Sequence, residues 1–453
     1  MKELEYPFDA AYIIKKRKSL KKALLADGTS RIRKKIAVFG GSTTSDIVKT
    51  LELFLLDAGI EPEFYESEYA QYFQDAMFPD ETLLSFKPDI VFIHTTNRNV
   101  TDWPEMTDTT EQIDEKLHTE INRFTAMWKS IAEKFHCPII QNNFEMPLYR
   151  LLGSRDAWDI HGRTNFLTRL NEAFYAYARE NESFYIHDLN FVSADYGLKE
   201  WSNPLFWNMY KYAMCFEAIP SFAFSVSHII KSIFGKNKKA LALDLDNTLW
   251  GGVVGDDGVD GIEIGQETGV SQSYYEFQTY VKQLKSLGIV LTVCSKNDHE
   301  NAIAGLNHPE GALRPDDFVI IKANWENKDR NIAETAAELN ILPDSIVFAD
   351  DNPAEREIVR TQIKGAAVPD MDGVENYITT IDRSGFFEVT TFSEDDLKRN
   401  EMYKKNALRA AEMASFGDYN DYLKSLEMHA VIDDFIPVYL ARITQLTNKS
   451  NQF

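Results

Sequence analysis

Cysteine is scarce in this chain of 453 residues, which has three. Cys137, Cys215 and Cys294 show no metal-binding spacing and no pairing pattern. That argues against a disulfide scaffold and for a reducing compartment. Positive charge is also short: 48 Lys and Arg stand against 70 Asp and Glu, a formal net charge of −22. Nucleic acid is therefore not expected as the main partner, because phosphate backbones need clustered Lys and Arg. Basic clusters occur only near the start, at Lys15–Lys22 (KKRKSLKK) and Arg31–Lys35. They read as a solvated helix face, with a docking patch for an acidic partner as the alternative. No apolar run reaches the roughly 18 residues of a membrane span, and MKELEYPFDAAY lacks a signal-peptide core. The expectation is a soluble, cytoplasmic protein without a membrane partner.

What is present suits a globular chain with a large core: 44% apolar and 12% aromatic residues, at a length for two or three domains. Strand-like runs at Lys35–Phe39, Asp89–His94, Pro138–Gln141 and Phe184–Ile186 alternate with helical segments at Ile47–Ala58, Glu111–Phe135 and Asn165–Glu180. Such alternation predicts a parallel, doubly wound sheet. Residues 1–235 are expected as one α/β domain of SGNH/flavodoxin-like type, entered through a basic amphipathic helix within residues 1–30. Gly40-Gly41-Ser42 follows the first strand, where SGNH-type esterases carry their nucleophile. Gly41 stands where those enzymes have an acid, and none of the nine His residues has Asp three positions before it. A Ser without a base is a poor nucleophile. Asn97, within TTNRN, could serve an oxyanion or be plain loop. The domain is therefore expected to be non-catalytic, its glycines letting a turn pass close to a neighbour. The aromatics of Gly197–Phe234, among them Trp201, Phe206, Trp207 and Phe216, are expected between domains. Gly235–Lys239 reads as a polar hinge.

Beyond the hinge the chemistry concentrates. Ala240–Leu243 is an apolar run of buried-strand length that stops on Asp244 and Asp246, with Thr248 behind them. Open α/β sheets build their sites at that edge. Two acids this close repel unless a cation or a shared proton offsets them. Three more strand-like runs follow: Ile289–Cys294 before Ser295, Asp317–Ile321 before a loop to Lys328, and Ser345–Ala349 before Asp350-Asp351. Ala366–Val368 is predicted as a fifth strand, and GGVVGDDGVDGIEIG as a Gly-rich hairpin. The gaps between motifs have room for no cap domain, so the site is expected open, with the first domain a candidate lid.

DLDNT resembles the first motif of the haloacid dehalogenase-like phosphatases, and DLDNTLWGGVVGDDGVDGIEIG resembles their FkbH-like branch, from about Lys238 to Phe453. The resemblance implies a capless, HAD-like Rossmannoid phosphatase domain over residues 236–385 and an Mg²⁺-dependent phosphotransferase. By the same resemblance Asp244 is the nucleophile and Asp246 the general acid and base. Ser295 holds a phosphoryl oxygen, with Lys296 and Asn297 beside it. Lys328 is the motif-three lysine, ahead of the competing Lys296 and Lys322. Asp244, Asp246 and Asp351 are implied metal ligands, with Asp350 acting from outside or through water. Residues 386–453 are expected as a helical linker, with helices at Ser393–Ala414 and Tyr419–Leu426, leading into a truncated acyltransferase-like region. The chain is thus expected to be a fragment of a longer protein. The family resemblance implies transfer of a phosphoglyceryl-derived group to an acyl carrier protein. The alternatives are a general small-molecule or sugar-phosphate phosphatase and a non-catalytic scaffold.

Overall fold

The computed structural model describes residues 1–415 together with Lys424, Glu427 and His429. The helix expected near Tyr419–Leu426, Lys424 apart, and the closing segment lie outside the described residues. The chain divides into two compact units, Met1–Asn400 and Glu401–Phe453. Both sheets belong to the first, and every strand pairing in them is parallel.

The first sheet comprises β1 (Ile32–Gly40), β2 (Ile60–Glu66), β3 (Ile90–His94), β4 (Ile139–Asn142) and β5 (Phe184–His187), in the order β2-β1-β3-β4-β5. This is the flavodoxin-like order. Side chains alternate across a strand, so one strand feeds two cores. Ile36 and Val38 of β1 join Phe92 of β3 in one cluster, while Ala37 and Phe39 join Val91 and Ile93 in the other. The long helix Thr110–Phe135 covers the second face, and the helices Ser45–Asp57 and Ile219–Ile233 cover the first. The entry helix Ala10–Ala26 starts on Asp9, whose carboxylate accepts from Tyr12 N–H. It buries Ile13, Leu20 and Leu24 and leaves Lys15, Lys16, Lys18 and Lys22 in solvent. Arg17 and Lys21 pair with Asp46 and Glu52.

The aromatic stretch differs from its expected place. Trp201 and Phe222 are buried in the core against β1 and β3, with Tyr212 and Phe216 packed on it. Tyr212 also donates to Asp46 at 2.5 Å. These rings therefore close the first sheet's own face, because the chain returns across the helix Ser45–Asp57 before it leaves for the second sheet.

The second sheet comprises β6 (Ala240–Leu243), β7 (Val290–Ser295), β8 (Ile320–Ala323) and β9 (Ile346–Ala349), in the order β8-β7-β6-β9. β8 begins later than its apolar run suggested. Asp317 is in a 3₁₀ turn, accepting from Arg314 N–H at 2.8 Å and from Lys285 at 2.7 Å. The fifth strand is absent; Ala367 makes one isolated bridge to Val347. Pro369 lies two residues on, where the next ladder N–H would be needed, and proline has none. The expected hairpin is a single bridge between Gly251 and Glu263 around a helical turn, Val254–Asp257. Only this loop and the helix Gly269–Ser286 separate β6 from β7, so no cap domain intervenes.

The halves meet at the amino edge of the second sheet. Lys238 N–H donates to Phe386 C=O, and the Ser232 and Thr390 hydroxyls lie 2.7 Å apart. Arg383 grips Asp195 through two bonds of 2.8 and 2.9 Å. These contacts, with the Lys2–Asp370 ion pair at 3.8 Å, join the two halves. Among the described residues no helix is long and apolar enough to cross a membrane.

Candidate active site

Four loops converge at the carboxyl ends of β6 to β9. Asp244 follows β6 directly, and its N–H donates to Ala349 C=O at the end of β9. Asp350 is the next residue on that neighbouring strand, so parallel pairing brings the two acids together across the point where strand order reverses. Lys328 opens the helix Lys328–Glu338 and reaches between them, 2.7 Å from Asp244 Oδ2 and 2.6 Å from Asp350 Oδ2. Its side chain is 3% exposed and that of Asp350 is fully buried. Burial works against the Lys328 ammonium, but the two carboxylates outweigh it and hold the proton on. Asp350 is pushed up to about 6, by burial first and then by the charge of Asp244.

Asp351 stands beside them, its Oδ1 accepting from the Thr248 hydroxyl at 3.3 Å. Burial and then Asp244 raise its carboxyl as well. Asp244, Asp350 and Asp351 each offer an oxygen, all within 4.8 Å of one another. Three carboxylates share one ammonium, and Asp244 Oδ1 is buried with no hydrogen-bond partner. An unpaired buried carboxylate oxygen is costly unless a cation meets it. Hard oxygens around a small site fit Mg²⁺. Asp350 has both oxygens engaged, Oδ2 by Lys328 and Oδ1 by Asn352 N–H at 2.8 Å. Asp351 is less committed.

Asp246 lies on the loop after β6. Its Oδ1 accepts from Trp250 Nε1 at 2.9 Å and Val254 N–H at 3.0 Å, and its Oδ2 from Asn297 at 2.9 Å. Burial still raises its carboxyl above the ordinary range, against those hydrogen bonds. Ser295 ends β7 and is buried. Of its expected companions, Asn297 is engaged with Asp246, and Lys296 pairs with Glu355 at 2.7 Å. Lys322 pairs with Glu334 and Glu338, leaving Lys328 as the lysine among the acids.

Three supporting residues escaped sequence reasoning. Arg356 is buried and donates to the Asp350 and Asp351 carbonyls at 2.9 and 2.7 Å, fixing the metal loop from behind. Tyr274 and Tyr377 donate to Asn247 C=O at 3.3 and 3.0 Å. Asn247 has φ +56°, a left-handed turn that Asn tolerates and that lets the loop double back after Asp246. Nothing in a single Arg or Tyr marks it in sequence; the Asn in DLDNT was the one available signal.

The edge of the first sheet is built differently. Gly41 lies against Asn99, where a Cβ would meet the amide at 2.4 Å, and Asn99 donates to Gly41 C=O at 2.9 Å. The expected close approach is there. Ser42 is buried, and its hydroxyl has no hydrogen-bond partner. His94 and His187 both bind Asn142, at 2.8 and 2.9 Å, and burial pushes each down to about 3. The Asn97 amide is turned to the Glu145 and Met146 carbonyls.

The family described as FkbH, N-terminal domain, matches residues 35–231. No curated protein matches the chain. Among solved structures, the chain is similar to the N-terminal part of a Bacteroides fragilis protein containing a phosphatase domain, complexed with Mg. Identity is 30%, the alignment covers 83% of this chain and 99% of that one, and the TM-score is 0.76. A putative acylhydrolase from the same organism aligns at 17% identity over 49% of this chain and 97% of its own, with a TM-score of 0.27. The family match falls on the first sheet and the sequence motifs on the second, and one solved relative spans both: the chain belongs to the FkbH-like branch of the haloacid dehalogenase-like phosphatases.

Proposed function

We propose that this chain is an Mg²⁺-dependent phosphatase or phosphotransferase working through an aspartyl phosphate on Asp244. The observation that carries the reading is the buried Lys328 between Asp244 and Asp350, with Asp244 Oδ1 unpartnered. The Mg complex of the Bacteroides fragilis relative supports the choice of metal. Asp244, Asp351 and the Asp246 main chain would hold the ion, with Asp350 behind them. When bound, Mg²⁺ neutralises charge and orients the phosphoryl group.

The chain's own residues do the rest. An Asp244 oxygen attacks phosphorus as the bond to the ester oxygen breaks. Asp246 gives that oxygen its proton, which burial keeps available nearer neutrality. Water then yields a proton to Asp246 and attacks phosphorus, the bond to Asp244 breaks, and inorganic phosphate leaves. Lys328 and Ser295 hold phosphoryl oxygens; Lys328 offsets charge that would otherwise repel the substrate. Asn297 positions Asp246, and Lys296 has a smaller share through Glu355.

The wider role we propose is dephosphorylation of a phosphoglyceryl group in its transfer to an acyl carrier protein, in the cytoplasm. The family's association with carrier modification and the open site favour it. The domains we assign are 1–235, SGNH-like and non-catalytic; 236–385, the phosphatase; and 386–453, leading toward an acyltransferase-like region. Phosphate release with Mg²⁺ from a panel of esters, including phosphoglyceryl donors with carrier proteins, tests the reading beside Asp244→Asn. Equal rates from both proteins would favour a scaffold. Activity on free sugar phosphates alone would favour a general phosphatase.

A further inference from the structure

One residue at this carboxyl edge leaves most of its side chain in solvent. Trp325 follows β8 and is 71% exposed, whereas Trp128, Trp201 and Trp250 are fully buried. An indole in water is an unused apolar surface, and such residues concentrate binding energy when covered. It is also held in place. Its Nε1–H donates to Asp298 Oδ1 at 2.9 Å. Asp298 is the N-cap of the helix His299–Leu306, yet its carboxylate makes no capping bond. Asp favours that position because its oxygen normally caps the helix; here the oxygen is given to the indole instead.

The loop beneath is fixed as well. Asn324 N–H donates to Ser295 C=O at 3.2 Å, and the Asn324 and Asn331 amides exchange bonds of 3.3 and 2.8 Å. Asn297 reaches Asp246 while the next residue, Asp298, reaches Trp325. The indole is thus tied, through two adjacent residues, to the acid that protonates the leaving group. Asp298 and Trp325 follow β7 and β8, so the indole stands at the same carboxyl edge as Asp244 and Ser295, with no cap domain over it.

Resting on the phosphatase reading above, the geometry points to Trp325 as a specificity-determining residue, the platform on which the body of the phosphate ester packs. An extended, partly apolar body covers more of an indole face than a compact polar one does. The substrate class this fits is a phosphate ester on an extended, partly apolar arm, of the kind an acyl carrier presents.

The test uses the full chain with Mg²⁺ and two monoesters, methyl phosphate and octyl phosphate. Wild type is expected to show a KM for octyl phosphate about tenfold or more below that for methyl phosphate, the scale of a covered aromatic anchor. Trp325→Ala should raise the octyl phosphate KM about tenfold or more and the methyl phosphate KM far less, erasing that preference, and Trp325→Phe should retain most of it. Calorimetry on Asp244→Asn reads the same preference as Kd without turnover. Equal KM and Kd for the two esters in wild type, or equal losses on both in Trp325→Ala, would overturn the assignment. If Asp244→Asn hydrolyses both esters as fast as wild type, the phosphatase reading itself fails and takes this inference with it.

Discussion

The chain carries two parallel sheets, and their carboxyl edges make a useful pair. At the first, neutral groups satisfy one another: Asn99 on Gly41, Asn142 between His94 and His187, Asn97 on the Glu145 and Met146 carbonyls. At the second, Asp244, Asp350 and Asp351 crowd one ammonium, and a buried oxygen is left over. Topology is shared, since both edges have a strand-order reversal; the kind of polar group is not. A closed amide network stabilises and specifies a fold. A charged cluster with unmet demand is unstable alone and gains from a cation and a dianion. The first sheet still leaves Ser42 Oγ and His94 Nε2 unpartnered, but these are neutral atoms with a smaller cost.

The comparison can be broken in several places. The largest effect should come from Asp244→Asn, which is expected to lower phosphate release by about 10⁴-fold or more, as for other covalent nucleophiles. Ser42→Ala should leave the rate within about twofold, since no chemistry is assigned there. Steady-state kinetics on one ester reads both.

Next is Lys328→Met in metal-free buffer. It leaves the carboxylates with no cation, and breaking a buried pair from one side costs about 3–5 kcal/mol. Urea unfolding should show that loss, and Mg²⁺ should recover part of it. Unchanged stability would mean that the acids are not ionised together.

Acid should act through the first sheet. His94 and His187 have folded values near 3, far below the ordinary value of 6.5. The unfolded chain therefore binds protons that the native one does not. This stability is fully present above about 6.5 and is lost as pH falls toward 3, at about 1.4 kcal/mol per pH unit for each ring. Asp350, raised to about 6 by burial and Asp244, works the opposite way: its contribution is lost as pH rises through that value. Unfolding between pH 6.5 and 5 should show net loss in wild type and a shallower slope in His187→Gln. An unchanged slope would remove His187 from the account.

The smallest effect concerns the loop support. Tyr377→Phe removes one hydrogen bond to Asn247 C=O, worth about 1 kcal/mol, and Tyr274 still holds that oxygen. Activity should fall a few-fold, with no change in metal dependence.

Much of this was legible in the chain. Asp244, Ser295 and Asp350 each follow or close an apolar run, and such runs become buried parallel strands whose ends share an edge. Lys328 could be chosen over Lys296 and Lys322 only through motif order; the sequence could not show that those two would find Glu355, Glu334 and Glu338. Arg356 was invisible because a buried Arg and an exposed one look alike until the carbonyls it binds are folded near it. Ala366–Val368 has strand composition, but Pro369 limits its pairing. Asn297 carries the same amide whether it faces phosphate or Asp246. Local pattern gave the elements, and partners set by tertiary contact gave the roles.

The most direct test is to acid-quench the Mg²⁺-loaded enzyme during turnover of a phosphate ester and map the peptides by mass spectrometry. The account requires a phosphate-sized mass gain on the peptide containing Asp244, increased in Asp246→Asn, where water attack is slowed. Steady phosphate release with no modified peptide, or the label on another residue, would contradict it.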